Sequence, residues 1–205
     1  MPLSLFDQDE FSDVTIRVGE RQFRCHKMIL CQKSEYFQAL CGPDGKFREA
    51  DQDTIELKDD DPKAVEVVLR YVYGFEYWEL EQVVQDWTVQ AHLNTIITAT
   101  KYLLPAVAET AREDLREWFG RPYMNGGHWK GSDNDLLDAV KFLPAHKESC
   151  KLTTRFIEDS FGANLYILFK LREFRLLIET EGWESIRDLC VKRLLQSLAS
   201  NSYNY

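Results

Sequence analysis

Residues 14–18, Val-Thr-Ile-Arg-Val, place an apolar side chain at every second position, and Gly19-Glu20 follows at once as a tight-turn pair. Successive side chains of a strand point to opposite faces, so this spacing gives one face to a core and the other to water. A two-residue turn sends the chain straight back, and residues 22–25 form the returning strand. A hairpin half-buried in this way needs apolar cover, and the next segments carry it.

From Lys27 the interval changes. Ile29, Leu30, Tyr36, Phe37 and Leu40 recur at helical spacing until Gly42-Pro43-Asp44-Gly45 breaks the run, which predicts one helix and then a loop. Thr54-Ile55-Glu56-Leu57 alternates again as a short strand. Asp59-Asp60-Asp61-Pro62 then sets capping carboxylates and a proline at the head of a helix striped by Ala64, Val67, Val68, Tyr71 and Val72.

Residues 75–90 mix aromatics and acids without a period, and read as a loop with one helical turn. Ile96, Ile97, Ala99, Thr100, Leu103 and Leu104 mark a helix, and Val107, Ala111, Leu115, Trp118 and Phe119 another beyond Pro105. Gly120–Gly131, containing Gly126-Gly127, is the best candidate boundary. Beyond it the spacing is helical throughout: Ser132 or Asp133 caps a helix with Leu136, Leu137, Val140 and Leu143. Leu152–Phe161, Leu165–Ile178 and Trp183–Leu194 follow as three more.

Composition narrows the function classes. Hydrophobic residues make up 44% and aromatics 13%, enough to build a core against chain entropy. The net charge of −9 is concentrated early, with 14 Asp/Glu against 8 Lys/Arg in residues 1–62, an unfavourable field for phosphates and hence for nucleic acid. No stretch reaches the length of a membrane span, no basic-then-apolar leader opens the sequence, and a cytoplasmic or nuclear location is expected. Cys25, Cys31, Cys41, Cys150 and Cys190 are odd in number and form no C-x-x-C, so reduced thiols are expected.

The order strand, turn, strand, "CHKMIL…SEYF", acidic strand, "DDDP" and a helix ending "LRYVYGF" resembles the BTB/POZ domain. Ser12-Asp13-Val14 ahead of the first strand, Phe23 closing the hairpin and His26-Lys27 opening the first core helix all match that family. So do Ser34, Tyr36 and Phe37 at the end of that helix, and Ile55, Leu57, Asp60, Tyr71 and Tyr73 later. Ala99-Thr100-Lys101-Tyr102-Leu103, with Leu115 beyond, looks like its closing helical pair.

The resemblance implies an α+β fold, a small mixed sheet wrapped by helices, over residues 11–119. A Gly-rich linker at 120–131 and an all-helical region at 132–205 follow. Two features depart from the pattern: the acidic aromatic stretch 75–95 is long, and the segment before Asp13 is short for the N-terminal strand that some members exchange between subunits.

The cluster at residues 23–37 invites sharper readings. Zinc would require Cys25, His26, Cys31 and Cys41 to converge, but adjacent strand residues point to opposite faces. A Cys/His dyad would need an orienting third group and an oxyanion site that this segment lacks. The plainer expectation is that Cys25 and Cys31 are small buried hydrophobes and that His26 caps, or hydrogen-bonds at, the helix start. No catalytic residue, metal or cofactor is expected.

For Asp13 and Lys27 the resemblance implies an acidic–basic pair in a pocket at a dimer interface; the alternative is a strand-start acid and a solvated lysine. Phe47-Arg48-Glu49 resembles the hydrophobic-x-Glu signature with which BTB adaptors grip a cullin scaffold, Phe47 filling a pocket while Glu49 orients it. The alternative is a core Phe beside a loop acid. Asp59-Asp60-Asp61 suits helix capping better than a divalent cation, whose ligands come from spaced positions. Phe75, Tyr77, Trp78 and Trp87 form either an exposed protein-binding patch or a lid over the core. His128 and His146 lack partners at ligand or triad spacing.

The implied function is that of a protein-interaction module: a homodimer acting as adaptor for a cullin-RING ubiquitin ligase and an unidentified client. The alternative is an assembly or transcriptional scaffold that dimerises without touching a cullin.

Overall fold

The computed structural model describes residues 5–42, 53–80, 88–120, 137–142, 168–181 and 183–201. The chain falls into two compact units, Met1–Leu115 and Arg116–Tyr205.

The first unit is built on a three-stranded mixed sheet of order β2-β1-β3, made of β1 (Val14–Val18), β2 (Arg21–Cys25) and β3 (Thr54–Leu57). β1 pairs antiparallel with β2, Val14 opposite Cys25 and Ile16 opposite Phe23, and parallel with β3, Ile16 opposite Ile55. This register puts Val14, Ile16, Val18, Phe23, Cys25, Ile55 and Leu57 on one buried face. Gly19 turns the hairpin at φ +57°, a left-handed value that a side chain resists.

Where the apolar spacing predicts one helix after the hairpin, there are two: α1 (Lys27–Lys33) and α2 (Glu35–Cys41). The break is at Ser34, whose extended backbone ends α1 while its Oγ accepts the Phe37 N–H at 3.1 Å and caps α2. An N-cap serine with an acid next to it outweighs a continuous apolar stripe.

α3 (Pro62–Val72) starts as its sequence dictates: Pro62 opens the first turn and Asp61 Oδ1 accepts the Ala64 N–H at 2.8 Å. It ends on Gly74, φ +88°, whose N–H bonds Tyr71 O while that of Phe75 bonds Arg70 O, closing the helix's last carbonyls. Ala64, Val65, Val67, Val68, Leu69 and Val72 are buried, and so is Glu66. That carboxylate holds two guanidinium groups, Arg70 at 2.8 Å and Arg21 at 2.7 Å, without which its burial would cost several kcal/mol. Arg70 in turn lies over the rings of Phe6 and Phe75, 4.8 and 5.5 Å from their centroids.

A single turn, α4 (Tyr77–Leu80), agrees with the loop-like reading of the aromatic stretch. α5 (Val89–Lys101) begins earlier than its apolar residues suggest, capped by Thr88 Oγ1 accepting the Ala91 N–H at 3.3 Å. Leu103, two residues past its end, is half-exposed with φ +53°, and so does not join the core as its spacing suggests. α6 (Pro105–Gly120) then runs to the first residue of the expected Gly-rich linker. Aromatic packing reaches back to Phe6, ahead of the expected start at 11: its ring is 5.3 Å from that of Tyr73 and 5.9 Å from that of Phe23.

In the second unit the described residues form helix at 137–142, at 168–170, in α7 (Arg172–Leu177) and in α8 (Glu184–Asn201); the helix expected over Leu165–Ile178 is interrupted at Leu171, and the one expected over Leu152–Phe161 lies outside the described residues. Phe174 is buried edge-on to Phe169, Lys141 pairs with Glu173, and Arg187 Nε donates to Ile178 O at 2.8 Å. Among the described residues no helix is long and apolar enough to cross a membrane.

Candidate interaction surface

His26 lies between β2 and α1 and is buried. Its side chain does not cap the helix. Its Nε2 is 2.9 Å from Glu10 O and its Nδ1 is 2.8 Å from the Tyr73 hydroxyl. A carbonyl can only accept, so Nε2 donates to Glu10 O, and in the neutral ring Nδ1 then accepts from the Tyr73 hydroxyl. The Tyr73 oxygen in turn accepts the backbone N–H of His26 at 2.8 Å. One hydroxyl thus satisfies two buried groups of one residue, and α3 is tied to the start of α1.

The cap of α1 comes from Asp13, whose Oδ1 accepts the Lys27 N–H at 2.7 Å while its own N–H bonds Cys25 O at 3.2 Å. Asp13 and Lys27 are therefore brought together, through the lysine's backbone. A carboxylate at a helix N-terminus is favoured both by the hydrogen bond and by the helix dipole.

Around this junction two large apolar side chains stand in solvent. Phe11, two residues before Asp13, is 81% exposed, and Met28, next to Lys27, is 78% exposed. Phe11 has a left-handed φ of +58°, a strained value held by fixed neighbours: the Glu10 carbonyl bound by His26 and the Ser12 N–H bonded to Asp9 O. Neither Phe11 nor Met28 stands out in the sequence, because one apolar residue on a short helix carries no period.

The far end of α1 is anchored by a second hydroxyl. Ser34 Oγ, besides capping α2, donates to Tyr102 O at 2.6 Å. The rings of Tyr36 and Phe37 pack at a tilt against that of Tyr102, with centroids 4.9 and 5.4 Å away. Tyr102 donates to Asp60 Oδ2 at 2.5 Å, an oxygen that also meets Lys101 Nζ at 2.7 Å. The three consecutive acids therefore divide their work: Asp59 takes a left-handed turn, Asp60 holds α5, and Asp61 caps α3.

The Cys25 thiol is poorly suited to attack. Cys25 is fully buried, and burial, aided by the charges of Asp7 and Asp13, pushes its thiol up to about 12. A nucleophile or a metal ligand needs the opposite shift. Both ring nitrogens of His26 are engaged in hydrogen bonds, and among the described residues no three metal-binding side chains converge.

Phe47 and Glu49 lie outside the described residues, as do Trp87, Cys150, His128 and His146. The aromatic stretch divides between its two readings. Tyr77 is buried with its hydroxyl 3.1 Å from His92 Nδ1, and Phe75 packs on the core, whereas Trp78 is 63% exposed. His92, buried on α5 and 3.6 Å from Asp114, escapes a sequence reading because a polar residue interrupts an apolar stripe.

A family model described as BTB/POZ domain matches residues 3–117. The chain is 33% identical over 122 residues to BTB and MATH domain-containing protein 15 of Caenorhabditis elegans, covering 56% of this chain and 42% of that protein. It is 37% identical over 90 residues to Kelch-like protein 40 of Mus musculus, covering 43% of this chain and 14% of that one. The BTB domain of zebrafish PATZ1 aligns at a TM-score of 0.41 and 23% identity, over 54% of this chain and 80% of that one. The chain thus spans less than half the length of these curated relatives.

Proposed function

The chain belongs to the BTB/POZ domain family, whose members are protein-interaction modules, and we propose that it pairs with a second copy and acts as adaptor for a cullin-RING ubiquitin ligase. The observation that carries the pairing is the apolar couple Phe11 and Met28, exposed beside a junction that Asp13, His26 and Tyr73 hold rigid. A symmetric contact uses each such residue twice, so a small patch contributes twofold. Burying Met28 alone is worth about 1.5–3 kcal/mol per copy.

The cullin half rests on Phe47-Arg48-Glu49, an apolar anchor with a carboxylate to orient it. The helical region after residue 131 extends the surface or holds the client.

Two measurements test this reading. Met28→Lys leaves the fold intact, since the side chain is largely in solvent, and weakens self-association by at least about tenfold in sedimentation equilibrium. An unchanged association constant removes the proposed face. In a pull-down, Phe47→Ala/Glu49→Ala loses the cullin while keeping self-association. If wild type pairs but retains no cullin, the chain is a dimerising scaffold, and the adaptor role is withdrawn.

A further inference from the structure

Two thiols of the α1–α2 pair converge on one backbone carbonyl. Cys31 lies in α1, and Cys41 ends α2 ten positions later. Their Sγ atoms are 3.8 Å apart, and both approach one acceptor, Phe37 O, at 3.5 Å from Cys31 and 3.2 Å from Cys41. Cys41 is buried, whereas Cys31 is half-buried. Cys31 is thus the more accessible residue of the two, and Cys41 Sγ faces Cys31 Sγ.

We propose that Cys31 and Cys41 form an oxidisable dithiol, which a small-molecule disulfide such as oxidised glutathione converts to an intramolecular bond stapling the end of α2 to α1. Disulfide sulfurs sit at about 2.05 Å, so the pair must close by roughly 1.8 Å, within the reach of side-chain rotation on two short helices.

The exchange runs in two steps. Cys31 Sγ, as thiolate, attacks one sulfur of the small disulfide; a mixed disulfide forms, the small S–S bond breaks, and one small thiol leaves with the proton Cys31 gave up. Cys41 Sγ then attacks Cys31 Sγ, the protein disulfide forms, and the second small thiol departs with the Cys41 proton. Each protein sulfur loses one electron, and the small disulfide gains both.

The second step is the slow one. Burial pushes the Cys41 thiol up to about 12; the neighbouring Cys31 and Asp13 add to the rise, and Lys27 opposes it. Because only the thiolate attacks, closure at fixed mixed disulfide should accelerate by about tenfold per pH unit through the neutral and mildly alkaline range.

The test uses the full chain carrying Cys150→Ser, incubated with oxidised glutathione, quenched by alkylation and read by intact mass and peptide mapping. The expected product has lost the mass of two hydrogens, contains a linked Cys31–Cys41 peptide, and reverts with dithiothreitol. In Cys41→Ser the reaction stops at a glutathione adduct on Cys31; in Cys31→Ser, Cys41 stays reduced. A stable adduct on Cys31 with no linked peptide at any pH overturns the proposal. So does a bond joining Cys31 to another chain, and the wild-type pair decides the matter even if either serine variant misfolds.

Discussion

Tyr73→Phe removes one oxygen atom and leaves the ring that packs on Phe6 in place, so its cost isolates the hydroxyl's role at the head of α1. Two buried groups lose their partner: the backbone N–H of His26, 2.8 Å away, and His26 Nδ1 at the same distance. A buried polar group left unsatisfied costs about 1–3 kcal/mol. The imidazole can recover part of that by tilting, whereas the amide is fixed by its place between β2 and α1. The expected total is therefore about 2–4 kcal/mol, a large share of the roughly 5–15 kcal/mol that stabilises a domain. Guanidinium denaturation followed by circular dichroism measures it, as a lower midpoint at unchanged slope. Repeating the substitution in His26→Ala separates the two parts, because the amide survives in that background and the ring does not. The residual cost of Tyr73→Phe there should stay near 1 kcal/mol or above. A loss below about 0.5 kcal/mol in the wild-type background would refute the idea that this hydroxyl fastens α1 to α3.

Other consequences follow from the same geometry. Ser34→Ala removes the α2 cap and the donor to Tyr102 O together, and should cost about 2 kcal/mol in the same assay. Leu103 holds a left-handed φ while half in solvent, so Leu103→Gly should exceed Leu103→Val in stability by about 1 kcal/mol or more, and equal midpoints would contradict the strain. Cys25 and Cys41 are both raised to about 12 by burial, so the folded state keeps their protons after the unfolded chain has released them. Their contribution to stability is intact below the ordinary thiol range and is lost as pH climbs from about 9 toward 12. The guanidinium midpoint should be flat near neutrality and fall above about pH 9, less steeply in Cys25→Ala; a midpoint that rises over that interval would reverse the sign and the explanation.

What could be read from the sequence was what depends on neighbours a few residues apart. The β1–β2 hairpin, the Asp61-Pro62 start of α3 and the helix from Pro105 each carry their own period or cap. Distant pairing could not be read that way. Nothing in Thr54–Leu57 says that it runs parallel to β1, and three adjacent aspartates look alike until Tyr102 claims the middle one. The break at Ser34 had a signal, an N-cap serine followed by Glu35, masked by apolar residues that keep helical spacing across it. Thr88 was the matching signal for the early start of α5. Of the candidate surface, the resemblance gives Asp13 and Lys27 as a pair and His26 as part of the fold's signature, and the contact that joins the first two runs through a backbone amide no side-chain pattern encodes. Met28 and Phe11 were invisible because exposure depends on what the rest of the chain leaves uncovered.

Two side-chain hydroxyls, those of Tyr73 and Ser34, hold the ends of a very small helix in place. An isolated seven-residue helix is far below the length at which helices persist in water. α1 is fixed at its first residue by Asp13 and at the residue before it by Tyr73, while Ser34, just past its end, is bound to Tyr102. Each anchor belongs to a different element: the approach to β1, the end of α3 and the end of α5. A partner docking on Met28 thus meets a side chain whose backbone is already ordered, and less conformational entropy is lost on binding. Loosening either end should then weaken association through preorganisation, without touching a residue at the contact. Ser34→Ala, remote from Met28 in the chain and buried, is the variant in which that indirect loss can be told from the direct one of Met28→Lys.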